Sequence, residues 1–278
     1  MEITKILKEN DFKFKHNFGQ NFITDINLLN AIVLDAEVGK NDNVLEIGAG
    51  AGTLTKQISK ATNGKVISVE IDKTLQPILQ ENLKDCDNVE IKFGDILKFS
   101  PQEVSGWFNG EPFKVVANLP YYISSPIIFY LLENNFDLKS LTIMLQYELA
   151  TRLCAKSNSS QYGAVTVLLD LIGTVRLMRK VPKTVFTPQP KVDSAVVRID
   201  VDKNKWEVDG KISQFVKNCF LMKRKTLQNN LSSAYNMQKT DIANLLEESG
   251  LNPQVRAENL STLQFVELFK KFSNLMQK

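Results

Sequence analysis

The apolar run FKVVA (113–117) ends in Asn118, Leu119, Pro120 and Tyr121. The side-chain carbonyl of Asn118 can accept a hydrogen bond. Pro120 pushes Leu119 into an extended conformation, which lets the Leu119 carbonyl stand beside it as a second acceptor. Two neighbouring acceptors suit a weak nucleophile such as the exocyclic amine of adenine, whose lone pair is delocalised into the ring. Hydrogen bonds accepted from that amine favour the tetrahedral nitrogen of the transition state. Tyr121 adds a flat face on which a base turned out of its stack can rest. Chemistry of this kind works by positioning and electrostatics, with no strong base and no metal.

Three other segments carry the parts of an adenosine pocket. In EIGAGAGTLT (46–55), Gly48, Gly50 and Gly52 free the backbone between a strand and a helix, where main-chain N–H groups can face a ligand. The spacing departs from the dinucleotide fingerprint, which would place a third glycine where Thr53 stands. Glu70 closes the next β-rich run and can accept both ribose hydroxyls of an adenosine. Asp95, after Gly94, closes a third and can accept a hydrogen bond from the adenine amine. Nicotinamide cofactors and S-adenosylmethionine (SAM) both fit this pocket; the acceptor pair at Asn118 and Leu119 favours SAM, whose sulfonium carries an activated methyl.

These residues need a scaffold that brings four strand ends together. Strand-like runs at 43–48, 65–72, 88–95, 113–118 and 140–146 alternate with helical stretches at 51–61, 74–85, 125–135 and 147–157. That alternation predicts an α/β fold with a mostly parallel sheet covered on both faces. Two last β runs, 163–178 and 194–201, are expected to finish it as an antiparallel pair, making seven strands. Beyond residue 203 the pattern turns helical, with helices expected at 211–235, 239–250 and 261–278. The sequence therefore divides into a catalytic domain (1–202) and a small all-α domain (203–278).

Composition narrows the function classes. The chain has 278 residues, is 43% hydrophobic and carries a net charge of +3. No apolar run reaches the ~18 residues of a membrane span, and the N-terminus lacks the pattern of a signal peptide. Three scattered cysteines without a C-x-x-C pair point to reduced thiols and a cytoplasmic location. One histidine, His16, argues against a His-based metal centre or a Ser-His-Asp hydrolase. Charge is uneven: residues 201–278 hold 12 Lys/Arg against 8 Asp/Glu, while Gly173–Val192 holds five cations and no acid. Two basic runs on a near-neutral chain suggest a polyanionic partner.

With these residues in place, the sequence resembles the rRNA adenine N6-dimethyltransferases, most closely those acting on small-subunit rRNA. The resemblance is carried by FGQNF (18–22), EIGAGAGTLT, NLPYYIS (118–124), YELATRL (147–153), QYGAV (161–165), FTPQPKVDSAVV (186–197) and RAENLS (256–261). It implies a Rossmann-like SAM-dependent methyltransferase fold and dimethylation of two adjacent adenosines in the 3′-terminal hairpin loop of 16S rRNA. The substrate would be a pre-30S particle late in assembly, the product S-adenosylhomocysteine, and the enzyme a monomer. Cofactor contacts are implied at Asn21, Ile23, Gly48, Gly50, Glu70, Asp95 and Asn118. Phe186 is implied as a second stacking face opposite Tyr121. Lys223, Arg224 and Lys225 are implied as rRNA contacts. His16, and MKRK (222–225) where two arginines are usual, depart mildly from the family pattern. Rival readings are a large-subunit rRNA dimethyltransferase conferring antibiotic resistance, a non-catalytic RNA-binding relative and an NAD-dependent oxidoreductase.

Overall fold

The computed structural model describes Phe12 and residues 20–134, 136–202, 205–206 and 210–276; His16 lies outside them. The strands are β1 (Phe22–Ile23), β2 (Asn43–Ile47), β3 (Val66–Glu70), β4 (Val89–Phe93), β5 (Phe113–Asn118), β6 (Leu138–Gln146), β7 (Gly173–Val181), β8 (Phe186–Thr187) and β9 (Ser194–Val201). Seven of them form one sheet in the order β4-β3-β2-β5-β6-β9-β7. Pairing is parallel from β4 through β6 and antiparallel where β9 joins β6. The β-branched runs explain the centre of the sheet. Val44, Leu45, Val66, Ile67, Val115, Val116, Leu141 and Ile143 are all fully buried, as expected of parallel strands covered on both faces. Each such side chain contributes roughly 1.5–3 kcal/mol by leaving water.

Helices at Ile26–Asp35 and Pro101–Trp107 join those legible in the sequence. Asp25 starts the first by accepting hydrogen bonds from the N–H groups of Asn27 and Leu28. Ser100 and Glu103 start the second with a reciprocal capping box. β1 and β8 form a separate antiparallel ribbon pairing Phe22 with Thr187 and Ile23 with Phe186.

The chain divides into two compact units, Met1–Ala150 with Arg176–Val201, and Thr151–Val175 with Asp202–Lys278. Thr151–Val175 thus joins the helical unit, whereas the sequence pattern places it in the first domain. The cause lies in the run GAVTVLLDLIGTVRLM, which is not one strand. Ala164–Ile172 is helical and Gly173–Val181 is the strand. A short apolar run rich in Val and Leu reads equally well as either element. Burial decides it, because Val167 and Leu171 pack with Phe215, Leu231, Ile242 and Phe265 in the core of the second unit.

The expected helix over 211–235 is likewise two helices, Lys211–Cys219 and Leu227–Tyr235. Asn230 breaks it. Its amide donates to the carbonyls of Cys219 and Met222 and its oxygen accepts the Met222 N–H. Thr226 then caps the second helix through the Asn229 N–H. Met222–Lys225 therefore form an exposed turn between two helix ends.

Candidate active site

The strand order reverses direction at β2, with β3 on one side and β5 on the other, the kind of switch point where α/β sheets open a crevice at their carboxyl ends. Four consecutive strand ends deliver their side chains there. A cleft of about 800 Å³, including its open mouth, is lined by Gly48, Gly50, Glu70, Asp95, Asn118, Leu119 and Tyr121, together with Gln20, Asn21, Phe22 and Tyr122.

The glycine loop packs tightly against its neighbours. Gly48 has φ +85°, and a Cβ there would lie 3.6 Å from the Asn118 carbonyl. Gly50 has φ +54°, and a Cβ would meet the Phe22 ring at 3.0 Å. Its N–H donates to Glu70 Oε2 at 2.7 Å, while the Asp72 N–H donates to Oε1 at 2.8 Å. Burial pushes the Glu70 carboxyl up, and these two N–H donors hold it down toward the charged form. With about four lone-pair sites, the carboxylate keeps room for a ligand hydroxyl beside its backbone donors. Asp95 accepts the Leu97 N–H through one oxygen and lines the cleft.

Asn118 ends β5 opposite Met144 of β6. Its Nδ2 donates to the Asn21 carbonyl at 3.2 Å, which assigns Oδ1 as the acceptor that remains. The Leu119 N–H donates to the Met144 carbonyl at 3.1 Å, while its side chain is buried. The following turn is closed by the Ile123 N–H and the Ser124 hydroxyl, both donating to the Pro120 carbonyl. Tyr121, half-buried at the rim, holds its hydroxyl 2.6 Å from Ser194 Oγ.

Two residues stand apart from this cleft. Ile23 is 2% exposed and Phe186 is 4% exposed, and neither lines it. Their pairing in the β1–β8 ribbon turns both side chains into a core cluster with Leu29, Ile32 and Val196. Phe186 therefore does not present a face opposite Tyr121 in this structure. The cleft instead gains three residues that sequence reasoning passed over. Gln20 donates to Asp72 at 2.8 Å, Phe22 packs on the glycine loop, and Tyr122 is exposed at the mouth. Burial raises the Tyr122 phenol, as do the negative charges of Asp95 and Glu70. The second tyrosine of NLPYY was the available signal for Tyr122; nothing local distinguishes Gln20.

Beneath the loop, Glu46 is fully buried and accepts the hydroxyls of Thr55 and Ser68. Burial raises its carboxyl to about 8. It braces β2, β3 and the helix after the glycine loop without reaching the cleft.

The acid-free basic run is not acid-free in space. Arg176 pairs with Asp200, Arg179 with Asp35 and Lys180 with Asp193. Lys223, Arg224 and Lys225 are all exposed in the second unit, Lys223 donating to the Ser160 carbonyl. Among the described residues, no group of His, Cys, Asp and Glu is placed to hold a metal ion. No helix there is long and apolar enough to cross a membrane.

A family model described as ribosomal RNA adenine dimethylase matches residues 11–274. The chain is 42% identical over 271 residues to ribosomal RNA small subunit methyltransferase A of Clostridium botulinum (strain Langeland), covering 96% of this chain and 97% of that one. It is 40% identical over 269 residues to the protein of the same name from Levilactobacillus brevis, covering 94% and 90%. Among solved structures, a dimethyladenosine transferase from Plasmodium falciparum matches with a TM-score of 0.77 and 26% identity, covering 91% of this chain and 98% of that one. The 23S rRNA methyltransferase ErmE matches with a TM-score of 0.71 and 27% identity, covering 91% and 100%. The match extends over nearly the whole length, and the chain belongs to the ribosomal RNA adenine dimethylase family of methyltransferases.

Proposed function

We propose that the protein dimethylates the N6 amines of two adjacent adenosines in the 3′-terminal hairpin loop of small-subunit rRNA, acting on a pre-30S particle. The observation that carries the reading is the orientation of Asn118, whose amide nitrogen is engaged by Asn21 and whose oxygen is left to accept. SAM, when bound, supplies an activated methyl on a positively charged sulfur. The cleft fits such a cofactor: Gly48 and Gly50, which line it, hold a positive φ that other residues rarely adopt, and Glu70 offers lone pairs to ribose hydroxyls. Asp95 serves its adenine and Asn21 its remaining length.

Asn118 Oδ1 and the Leu119 carbonyl accept from the target amine and draw its lone pair out of conjugation. The Tyr121 ring supports the base, and Phe186 holds the β1–β8 ribbon that carries residues 22 and 23. The exposed turn Lys223–Lys225 contacts rRNA phosphates. The relatives at about 40% identity are named for the small subunit, which favours that substrate over the large subunit, although the ErmE likeness shows the fold serves both. Mapping methyl groups by mass on rRNA from cells lacking the protein tests this. Loss of both dimethyladenosines from small-subunit rRNA is expected; their persistence, or loss from large-subunit rRNA, would contradict it.

A further inference from the structure

Tyr121 is anchored at both ends. Its backbone sits in the turn closed on the Pro120 carbonyl, and its hydroxyl lies 2.6 Å from Ser194 Oγ. Ser194 is fully buried, opens β9 and pairs with Gln146 at the carboxyl end of β6. Because β6 lies between β5 and β9 in the sheet, the tyrosine reaches across the end of β6 to make this contact. A tyrosine ring has two side-chain torsions; its hydroxyl oxygen lies on the axis of the second, so a hydrogen bond at its tip holds the first and with it the direction of the ring's long axis. The neighbouring residue reinforces the anchor. Asp193 accepts the Tyr147 N–H with its carbonyl, and its carboxylate takes the Lys183 N–H and the Lys180 ammonium. Ser194 is thus presented from a heavily cross-linked strand start.

We propose that Ser194 is a positioning residue for the target base, holding the long axis of the Tyr121 ring in place so that a stacked adenine brings its amine to Asn118 and Leu119. The proposal rests on Tyr121 being the stacking face. A misplacement of one ångström at the reacting atoms can cost a hundredfold in rate, so a contact remote from the chemistry can still govern it.

The test is a double-mutant cycle with methyl transfer to undermethylated small ribosomal particles as the assay. Ser194→Ala and Tyr121→Phe each remove the hydroxyl–hydroxyl bond. Each is expected to lower kcat/KM for the particle about threefold to tenfold, as the loss of one hydrogen bond does. SAM affinity measured by calorimetry should stay within about twofold. The double variant should be no slower than the slower single, and Ser194→Thr should restore most of the activity. Effects that multiply in the double variant, or a Ser194→Ala enzyme with unchanged kinetics beside an impaired Tyr121→Ala, would overturn the role of Ser194. An unimpaired Tyr121→Ala would instead overturn the stacking reading beneath it. Should Ser194→Ala fail to fold, Tyr121→Phe alone decides, since it leaves the buried serine in place: unchanged kinetics in that variant would refute the proposal.

Discussion

Asn118 donates its side-chain N–H to the main-chain carbonyl of Asn21, 97 residues earlier in the chain. One contact thereby ties the N-terminal segment lining the cleft to the strand end proposed to meet the target amine. It also fixes which way the amide points, leaving Oδ1 as the acceptor. The carboxamide is needed in both its parts, and a carboxylate or an aliphatic side chain could not serve both partners.

Glu70 offers the first prediction. Its two oxygens take N–H donors from Gly50 and Asp72, and a glutamine has only one oxygen to offer. Glu70→Gln should lose a charge-assisted hydrogen bond worth roughly 1.5–3 kcal/mol, weakening SAM about tenfold to a hundredfold. Calorimetric titration reads this directly. An unchanged affinity would mean the carboxylate serves the loop alone.

Stability should depend on pH through Glu46. Its folded carboxyl titrates near 8 because it is buried, whereas an unfolded glutamate titrates near 4.5. Between those values the folded state holds the extra proton, so the contribution of Glu46 to stability is fully present below about 4.5 and is lost as pH rises through about 8. The full effect is on the order of 5 kcal/mol at 1.36 kcal/mol per unit. Thermal melts from pH 5 to 8 should show the decline in the wild type and a flatter profile in Glu46→Gln. Parallel profiles would contradict it.

Phe186 should behave as a core residue. It is 4% exposed and packs against the partner strand of its ribbon. Phe186→Ala is expected to cost about 3–5 kcal/mol, read by denaturant unfolding, whereas Tyr121→Ala at the rim should cost much less. A loss of activity in Phe186→Ala without loss of stability would restore it as a second stacking face.

The basic turn gives a salt-dependent prediction. Reversing Lys223, Arg224 and Lys225 to glutamate should weaken RNA binding and reduce the slope of log affinity against log salt by up to about 3, roughly one per phosphate contact. SAM affinity should not change. Equal salt slopes in the two proteins would move the RNA contact elsewhere.

Much of the site was legible because strand ends are short and punctuated. Gly48, Glu70, Asp95 and Asn118 each follow a run of β-branched residues, and parallel pairing in register brings such ends to one edge. What stayed hidden depended on contacts between distant segments. The β1–β8 ribbon is two residues per strand, too short for any alternation to show, yet it turns Ile23 and Phe186 away from the cleft. The helix at 164–172 was unreadable for the opposite reason: its apolar run fits both periods, and only the core around Phe215 decides between them. The cations from Arg176 to Lys180 looked free because Asp35, Asp193 and Asp200 lie elsewhere in the sequence.

The central claim is that Asn118 withdraws the target amine from conjugation, and single-turnover methyl transfer by Asn118→Ala tests it most directly. With SAM and undermethylated small particles both saturating, the chemical step should slow about 10²–10³-fold, the usual cost of losing one preorganised group at a transition state. An unchanged rate for that step would contradict the account.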